Sequence, residues 1–193
     1  DFSAENISLT ALGSRFTLKT PSGSAEIQTN LLGVHNIYNL LSASAYALNQ
    51  GISLDMAKRA FKNIPSIPGR FESINAGQNF SVLVDYAHTE DALSKAITAA
   101  NVFTEGKVIV VFGCGGDRDR GKRERMGQVA AEKADFSIIT SDNPRTEEPE
   151  KIIADILKGV PASALHKTIT NRREAIKYAI SRAEKNDLVL IAG

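Results

Sequence analysis

Three short stretches hold most of the groups in this chain that could do chemistry. Asp85-Tyr86-Ala87-His88-Thr89 places a carboxylate beside a phenol and an imidazole. Gly113-Cys114-Gly115-Gly116-Asp117-Arg118-Asp119-Arg120-Gly121-Lys122-Arg123 mixes flexible backbone with guanidinium groups. Asp142-Asn143-Pro144-Arg145 sets an acid and a base on either side of a rigid turn. In the last stretch Asp142 could hold an ammonium while Arg145 clamps a carboxylate, a receptor for an amino-acid zwitterion whose spacing Pro144 fixes. Arginines in the glycine-rich stretch suit carboxylate or phosphate. Asp85 could take a sugar hydroxyl or a metal-bound water, and the two rings after it could stack on a base. Plainer readings stand beside these. Asp-Asn-Pro-Arg is also ordinary turn chemistry, Asp117, Asp119 and Glu124 offset much of the loop's basic charge, and His88 could be packed or solvated.

Gly116-x4-Gly121-Lys122 nearly matches a P-loop, but Arg123 stands where a Ser or Thr hydroxyl is needed. A dinucleotide fingerprint fails too, because Gly113-x-Gly115 runs into Asp117-Arg118 without the later glycine. Cys114 has no Cys or His near it, which argues against a metal ligand or a nucleophile. His35 and Asn39 lie four apart on one helical stripe, turned away from Ile37 and Leu41. Arg70 follows a proline-rich break and could act from a hinge.

These groups need elements to hold them. Phe80–Val84, Val108–Phe112, Phe136–Thr140 and Leu188–Ala192 are continuous apolar runs, with helical stretches near 90–103, 124–134, 149–158 and 172–185 between them. Runs without polar alternation imply burial on both faces, hence an α/β fold with a parallel sheet covered by helices. Such sheets bind ligands at the carboxyl ends of their strands, where the three chemical stretches fall. Before this region, Ile7–Leu12, Arg15–Lys19 and Ala25–Leu31 alternate around Gly13-Ser14 and Pro21-Ser22-Gly23, predicting a small antiparallel sheet. Ile37, Leu40, Leu41, Ala45 and Leu48 then predict a helix ended by Gly51. Ser53 caps a second helix carrying Leu54, Ala57, Ala60, Phe61 and Ile64. Pro65-Ser66-Ile67-Pro68-Gly69 breaks regular structure, so the expected division is 1–68 and 69–193.

Composition closes off other classes. With 23 Lys and Arg against 22 Asp and Glu, a general nucleic-acid or membrane-surface binder is not expected. One cysteine excludes a scaffold of internal disulfides and fits a reducing, cytoplasmic setting. No apolar run approaches the roughly 18–20 residues that span a bilayer. The start at Asp1 and the stop at the end of an apolar strand suggest a piece of a longer protein.

Gly33-Val34-His35-Asn36-Ile37-Tyr38-Asn39, Gly69-Arg70-Phe71-Glu72, Asp85–Thr89, the loop 113–123 and Asp142–Arg145 come in an order and spacing that resembles the Mur ligases, and among them the members that add meso-diaminopimelate. The resemblance covers nearly the whole chain. It implies an ATP-dependent amide ligase of peptidoglycan precursor synthesis, monomeric, with ATP and Mg²⁺ as cofactors and with meso-diaminopimelate and a UDP-N-acetylmuramoyl-dipeptide as substrates. Residues 1–68 then correspond to the small β-plus-helix tail of a central ATPase domain, and 69–193 to a Rossmann-like amino-acid-binding domain. His35, Asn39, Arg70 and Asp85 match nucleotide-contacting positions with Tyr86 and His88 close by, and Arg70 and Asp85 are expected to be catalytic. Arg118, Asp142, Asn143, Pro144, Arg145 and Gly193 match the meso-diaminopimelate site. The family's own P-loop and its metal-assisting lysine have no counterpart here, so Gly116–Lys122 is not expected to bind ATP. Glu90 and Glu124 replace prolines usual in the family, at first helical turns where an acidic residue is also favourable. A Mur-type ligase for another amino acid and a non-catalytic metabolite-binding module are the alternatives.

Overall fold

A computed structural model describes residues 1–10 and 12–193. The chain forms two compact units, Asp1–Glu72 and Ser73–Gly193. Of the first expected strand, Ala11 lies outside the described residues.

In the first unit, β1 (Ser3–Thr10), β2 (Gly13–Thr20) and β3 (Gly23–Thr29) pair antiparallel in the order β1-β2-β3. Two helices follow, α1 (Val34–Asn49) and α2 (Leu54–Asn63). Gly51 ends α1 with φ 80°, a conformation that favours glycine, and Ile52 N–H then reaches back to Ala47 O at 3.0 Å. Ser53 Oγ accepts Met56 N–H at 3.3 Å and starts α2. Phe16, Leu18, Ile27, Leu31, Ile37, Leu40, Ala57 and Phe61 bury together, each contributing on the order of 1.5–3 kcal/mol when large and fully covered. Strict alternation along β2 fails at one residue. Thr17 is buried because Asn6 and Glu26 converge on its hydroxyl.

The second unit is the expected α/β sandwich. A six-stranded sheet runs β4-β5-β9-β6-β7-β8, with β4 (Glu72–Ser73), β5 (Ser81–Asp85), β6 (Val108–Phe112), β7 (Phe136–Ile139), β8 (His166–Thr168) and β9 (Leu188–Ala192). From β5 to β8 every pairing is parallel. Helices α3 (Glu90–Phe103), α4 (Gly121–Lys133), α5 (Pro149–Leu157) and α6 (Arg172–Arg182) fill the connections. Ala175 and Ala179 of α6 pack on Val82, Ile109, Val111, Ile138 and Val189. The alternate positions Leu83, Val110 and Leu190 face the other way and are fully buried. Two elements differ from expectation. β8 has only exposed residues and so gives no apolar signal. α4 begins at Gly121, earlier than the apolar spacing suggested, where Asp119 Oδ1 accepts Gly121 N–H at 2.8 Å. Among the described residues no helix is long and apolar enough to cross a membrane.

Register decides where the chemistry sits. Asp85 pairs with Ala192, Ala192 with Phe112, and Phe112 with Ile139. The segments after β5, β6, β7 and β9 therefore leave the sheet along one rim.

Candidate functional site

At that rim the second unit holds a cleft of about 620 Å³. Tyr86 and His88 line it from the loop after β5, Arg118 from the loop after β6, Lys122 from the first turn of α4, Asp142, Asn143 and Arg145 from the loop after β7, and Gly193 just after β9. All of these but Lys122, seven residues, are ones that the resemblance matches to ligand sites, and they share one cavity. Pro144 lies behind it, its carbonyl accepting Glu147 N–H at 3.0 Å. Asp85 ends β5 half-buried, and its carbonyl accepts Gly193 N–H at 3.0 Å. His35, Asn39 and Arg70 belong to the first unit. There His35 meets Phe71 edge-on at 6.0 Å, and Asn39 donates to Asn36 Oδ1 at 3.2 Å. A Cβ on Gly33 would run into the His35 ring, so glycine leaves that imidazole its place. Arg70 is exposed.

On the β5 side of the cleft the Tyr86 and His88 rings lie 4.8 Å apart and tilted by 55°. His88 Nδ1 sits 3.0 Å from Tyr86 O. Lys122 Nζ donates to His88 O at 2.7 Å, so a lysine from α4 holds the β5 loop. Arg125 Nε donates to Glu90 Oε1 at 2.9 Å beside it.

The opposite wall is two loops laced together. Gly116 N–H donates to Asn143 O at 2.8 Å, and Arg145 Nη1 donates to Gly116 O. The approach is so close that a Cβ at Gly116 would fall on the Pro144 carbonyl. Asp117 accepts Thr146 N–H at 3.1 Å and the Thr146 hydroxyl at 2.8 Å. Asp117 and Arg145 have φ of 51° and 49°, left-handed for non-glycine residues, which costs roughly 1–2 kcal/mol each. The hydrogen bonds across the two loops offset that strain.

Behind this wall stands a residue whose role the sequence did not disclose. Arg123, fully buried, donates to Glu147 Oε1 at 2.7 Å and Oε2 at 3.0 Å, and to Asp155 Oδ2 at 3.1 Å. The Arg123 guanidinium, helped by the Asp117 N–H, pulls the Glu147 carboxyl down to about 2. Glu147 in turn holds Arg123 above its ordinary value. Asp155 is lowered by the Lys158 ammonium and, after burial's opposing effect, by Arg123. A signal did exist. Arg123, Met126, Gly127 and Ala130 share the buried stripe of α4, a spacing that places a guanidinium where an apolar residue is usual.

Because the folded Glu147 titrates below its ordinary 4.5, its charged form stabilises the fold above that value, and the gain is lost as pH falls towards about 2. We therefore expect the chain to melt above its Glu147→Gln variant at pH 6, with the two melting curves converging near pH 2. Melting followed by circular dichroism across that range checks it.

Arg172, at the start of α6, was also missed. Its Nη2 donates to Ala192 O at 3.1 Å and Gly193 O at 3.2 Å, gripping the end of β9. Burial lowers its pKa, and the Asp142 charge opposes that. Cys114 is buried with Sγ 3.6 Å from Met126 Sδ, and burial pushes its thiol up to about 11. At pH 8 that leaves about one thiol in a thousand ionised. Iodoacetamide should leave the native chain unmodified over hours and label it once unfolded, as read by mass spectrometry.

Residues 69–193 match the model of the Mur ligase, glutamate ligase domain. The UDP-N-acetylmuramoyl-L-alanyl-D-glutamate--2,6-diaminopimelate ligase of Geobacillus kaustophilus (strain HTA426) is 49% identical over 100% of this chain and 40% of its own length. That of Listeria innocua serovar 6a (strain ATCC BAA-680 / CLIP 11262) is 47% identical over 100% of this chain and 39% of its own. A solved ligase of the same name superposes with a TM-score of 0.75 at 38% identity, covering 100% of this chain and 40% of that one. Folylpolyglutamate synthase of Mycobacterium tuberculosis reaches 0.77 at 20% identity, over 100% of this chain and 45% of its own, a likeness of fold alone. The chain spans about two fifths of the length of these curated relatives.

Proposed function

The chain belongs to the Mur ligase family, and from that premise we propose that it supplies the amino-acid-binding part of a ligase that joins meso-diaminopimelate to UDP-N-acetylmuramoyl-L-alanyl-D-glutamate at the expense of ATP. One observation carries this reading: Arg118, Asp142, Asn143 and Arg145 share a single cleft. Meso-diaminopimelate is a lysine with one further carboxylate, and two guanidinium groups beside an acid suit that molecule. Charge-assisted hydrogen bonds contribute about 1.5–3 kcal/mol each.

In the reaction, the D-glutamyl carboxylate takes the terminal phosphoryl group of ATP and ADP leaves. The amine nitrogen of meso-diaminopimelate then bonds to the acyl carbon, the carbon–oxygen bond to phosphate breaks, and phosphate departs with the electron pair as the amine gives up a proton. Asp142 holds an ammonium of the amino acid, and Arg118 and Arg145 hold carboxylates. Their contribution is position and charge, fixed before substrate arrives. For the nucleotide we assign Asn39 to the adenine, Asp85 to the ribose and Arg70 to the phosphates, with His35, Tyr86 and His88 as neighbours. Among the described residues no group of three or more His, Cys, Asp or Glu side chains is placed to hold a metal ion.

Turnover by a full-length ligase carrying this chain tests the reading. ADP release should require meso-diaminopimelate, and release with L-lysine but not meso-diaminopimelate would refute the specificity. The chain by itself should release no ADP and bind meso-diaminopimelate weakly or not at all, as read by calorimetry. A metabolite-binding module would behave otherwise: Lys122→Met would abolish its binding while Asp142→Ala left it intact.

A further inference from the structure

The two loops that carry Arg118 and Arg145 are not held by the sheet alone. Arg123 enters from α4 and takes both oxygens of Glu147, at 2.7 Å and 3.0 Å, while its Nη2 also lies 3.4 Å from Gly115 O. Glu147 Oε1 accepts Asp117 N–H at 2.7 Å, beside Arg118 in sequence. Asp117 closes the circuit on Thr146, next to Arg145, through the backbone N–H at 3.1 Å and the hydroxyl at 2.8 Å. Asp155 Oδ2 adds a third carboxylate oxygen to Arg123 at 3.1 Å. The Asp117 bonds join the loop after β6 to the loop after β7, and Arg123 ties α4 to both loops and to α5. The guanidinium at the centre is fully buried, so its geometry is fixed by these partners rather than by water.

We propose that Arg123 and Glu147 are positioning residues for the amino-acid site: their clasp sets the separation and aim of Arg118 and Arg145, and through them the selection of a diamine with two carboxylates over one with a single carboxylate. The inference rests on the proposed function and deepens it. Arg123 itself is not among the residues lining the cleft. Its effect travels through two backbones, each held at a left-handed residue, Asp117 and Arg145. A hydrogen-bonded clasp is what keeps such conformations populated. When it is loosened, the guanidinium groups should remain present and charged but lose their fixed spacing, so binding of the extra carboxylate suffers first.

The test uses the full-length ligase with Glu147→Gln and Arg123→Lys, each kept only if it melts well above the assay temperature. Ile156→Val, in fully buried α5 packing outside the clasp, serves as a destabilised control. We expect KM for meso-diaminopimelate to rise at least tenfold in Glu147→Gln, with KM for ATP within twofold of the parent. The preference for meso-diaminopimelate over L-lysine should fall in step, Arg123→Lys should lie between parent and Glu147→Gln, and Ile156→Val should change neither KM. A KM for meso-diaminopimelate unchanged in the clasp variants, or one that rises together with KM for ATP and in the control, overturns the clasp alone. A parent enzyme that does not use meso-diaminopimelate overturns the functional reading and the clasp with it.

Discussion

Arg123→Met should lower the melting temperature of the second unit by about 10 °C, the largest stability effect expected from any single substitution at the site. The side chain is fully buried and meets Glu147 and Asp155. Removing one member of a buried ionic cluster typically costs 3–5 kcal/mol, because the partners keep their charge and lose their counterion. Here the partners are not equally enclosed: the Glu147 side chain is 12% exposed and that of Asp155 28%. Water can reach Asp155, which also keeps Lys158 at hydrogen-bonding distance. The lower end, about 3 kcal/mol, is therefore the expected loss, and for a unit of this size each kcal/mol moves the midpoint by a few degrees. If stranded charge is the cause, Arg123→Met combined with Glu147→Gln and Asp155→Asn should melt above Arg123→Met alone. A triple variant that melts lower would point to lost packing instead. Differential scanning calorimetry at pH 7 separates the two.

That cluster also shows what could and could not be read along the chain. The sheet was legible because Val108–Phe112 and Leu188–Ala192 have no polar residue to place outside, and only burial on both faces explains such runs. The cleft followed from the sheet, since aligned parallel strands bring their trailing loops to one rim. The cross-links within the cleft did not follow. In the sequence Arg123 is one more charge in a basic run, and Glu147 is one of two glutamates before a helix. Their pairing across a fold depends on how α4 packs on α5, which no local spacing encodes. Lys122 is the same case in reverse. Read locally it belongs to a failed P-loop, whereas in the fold it donates to His88 O and ties the loop after β5 to α4. β8 was invisible for a simpler reason: an edge strand of His166, Lys167 and Thr168 has no apolar residue to announce it.

The most discriminating outcome concerns Asp142 and Arg145, because the proposed roles make their variants fail differently. If Arg145 takes the carboxylate that lysine lacks, Arg145→Ala in the full-length ligase should cost about 100-fold in kcat/KM for meso-diaminopimelate, equivalent to about 3 kcal/mol of charge-assisted hydrogen bonding. Any reaction with L-lysine should change little or improve, since no unpaired guanidinium then faces the substrate. Arg145→Lys keeps the charge but not the fork, so it should recover only part of the loss. Asp142 answers to the ammonium, which both amino acids carry, and Asp142→Ala should therefore depress both reactions alike. One complication is built into the wall: Arg145 also donates to Gly116 O, so its removal frees a backbone that packs against Pro144. Loosening of that kind would penalise both substrates, and the ratio of the two rates removes it. Should Arg145→Ala lower both rates equally while Asp142→Ala spares one of them, the acid and the base have been given each other's work, and the orientation of the amino acid in the cleft must be reversed.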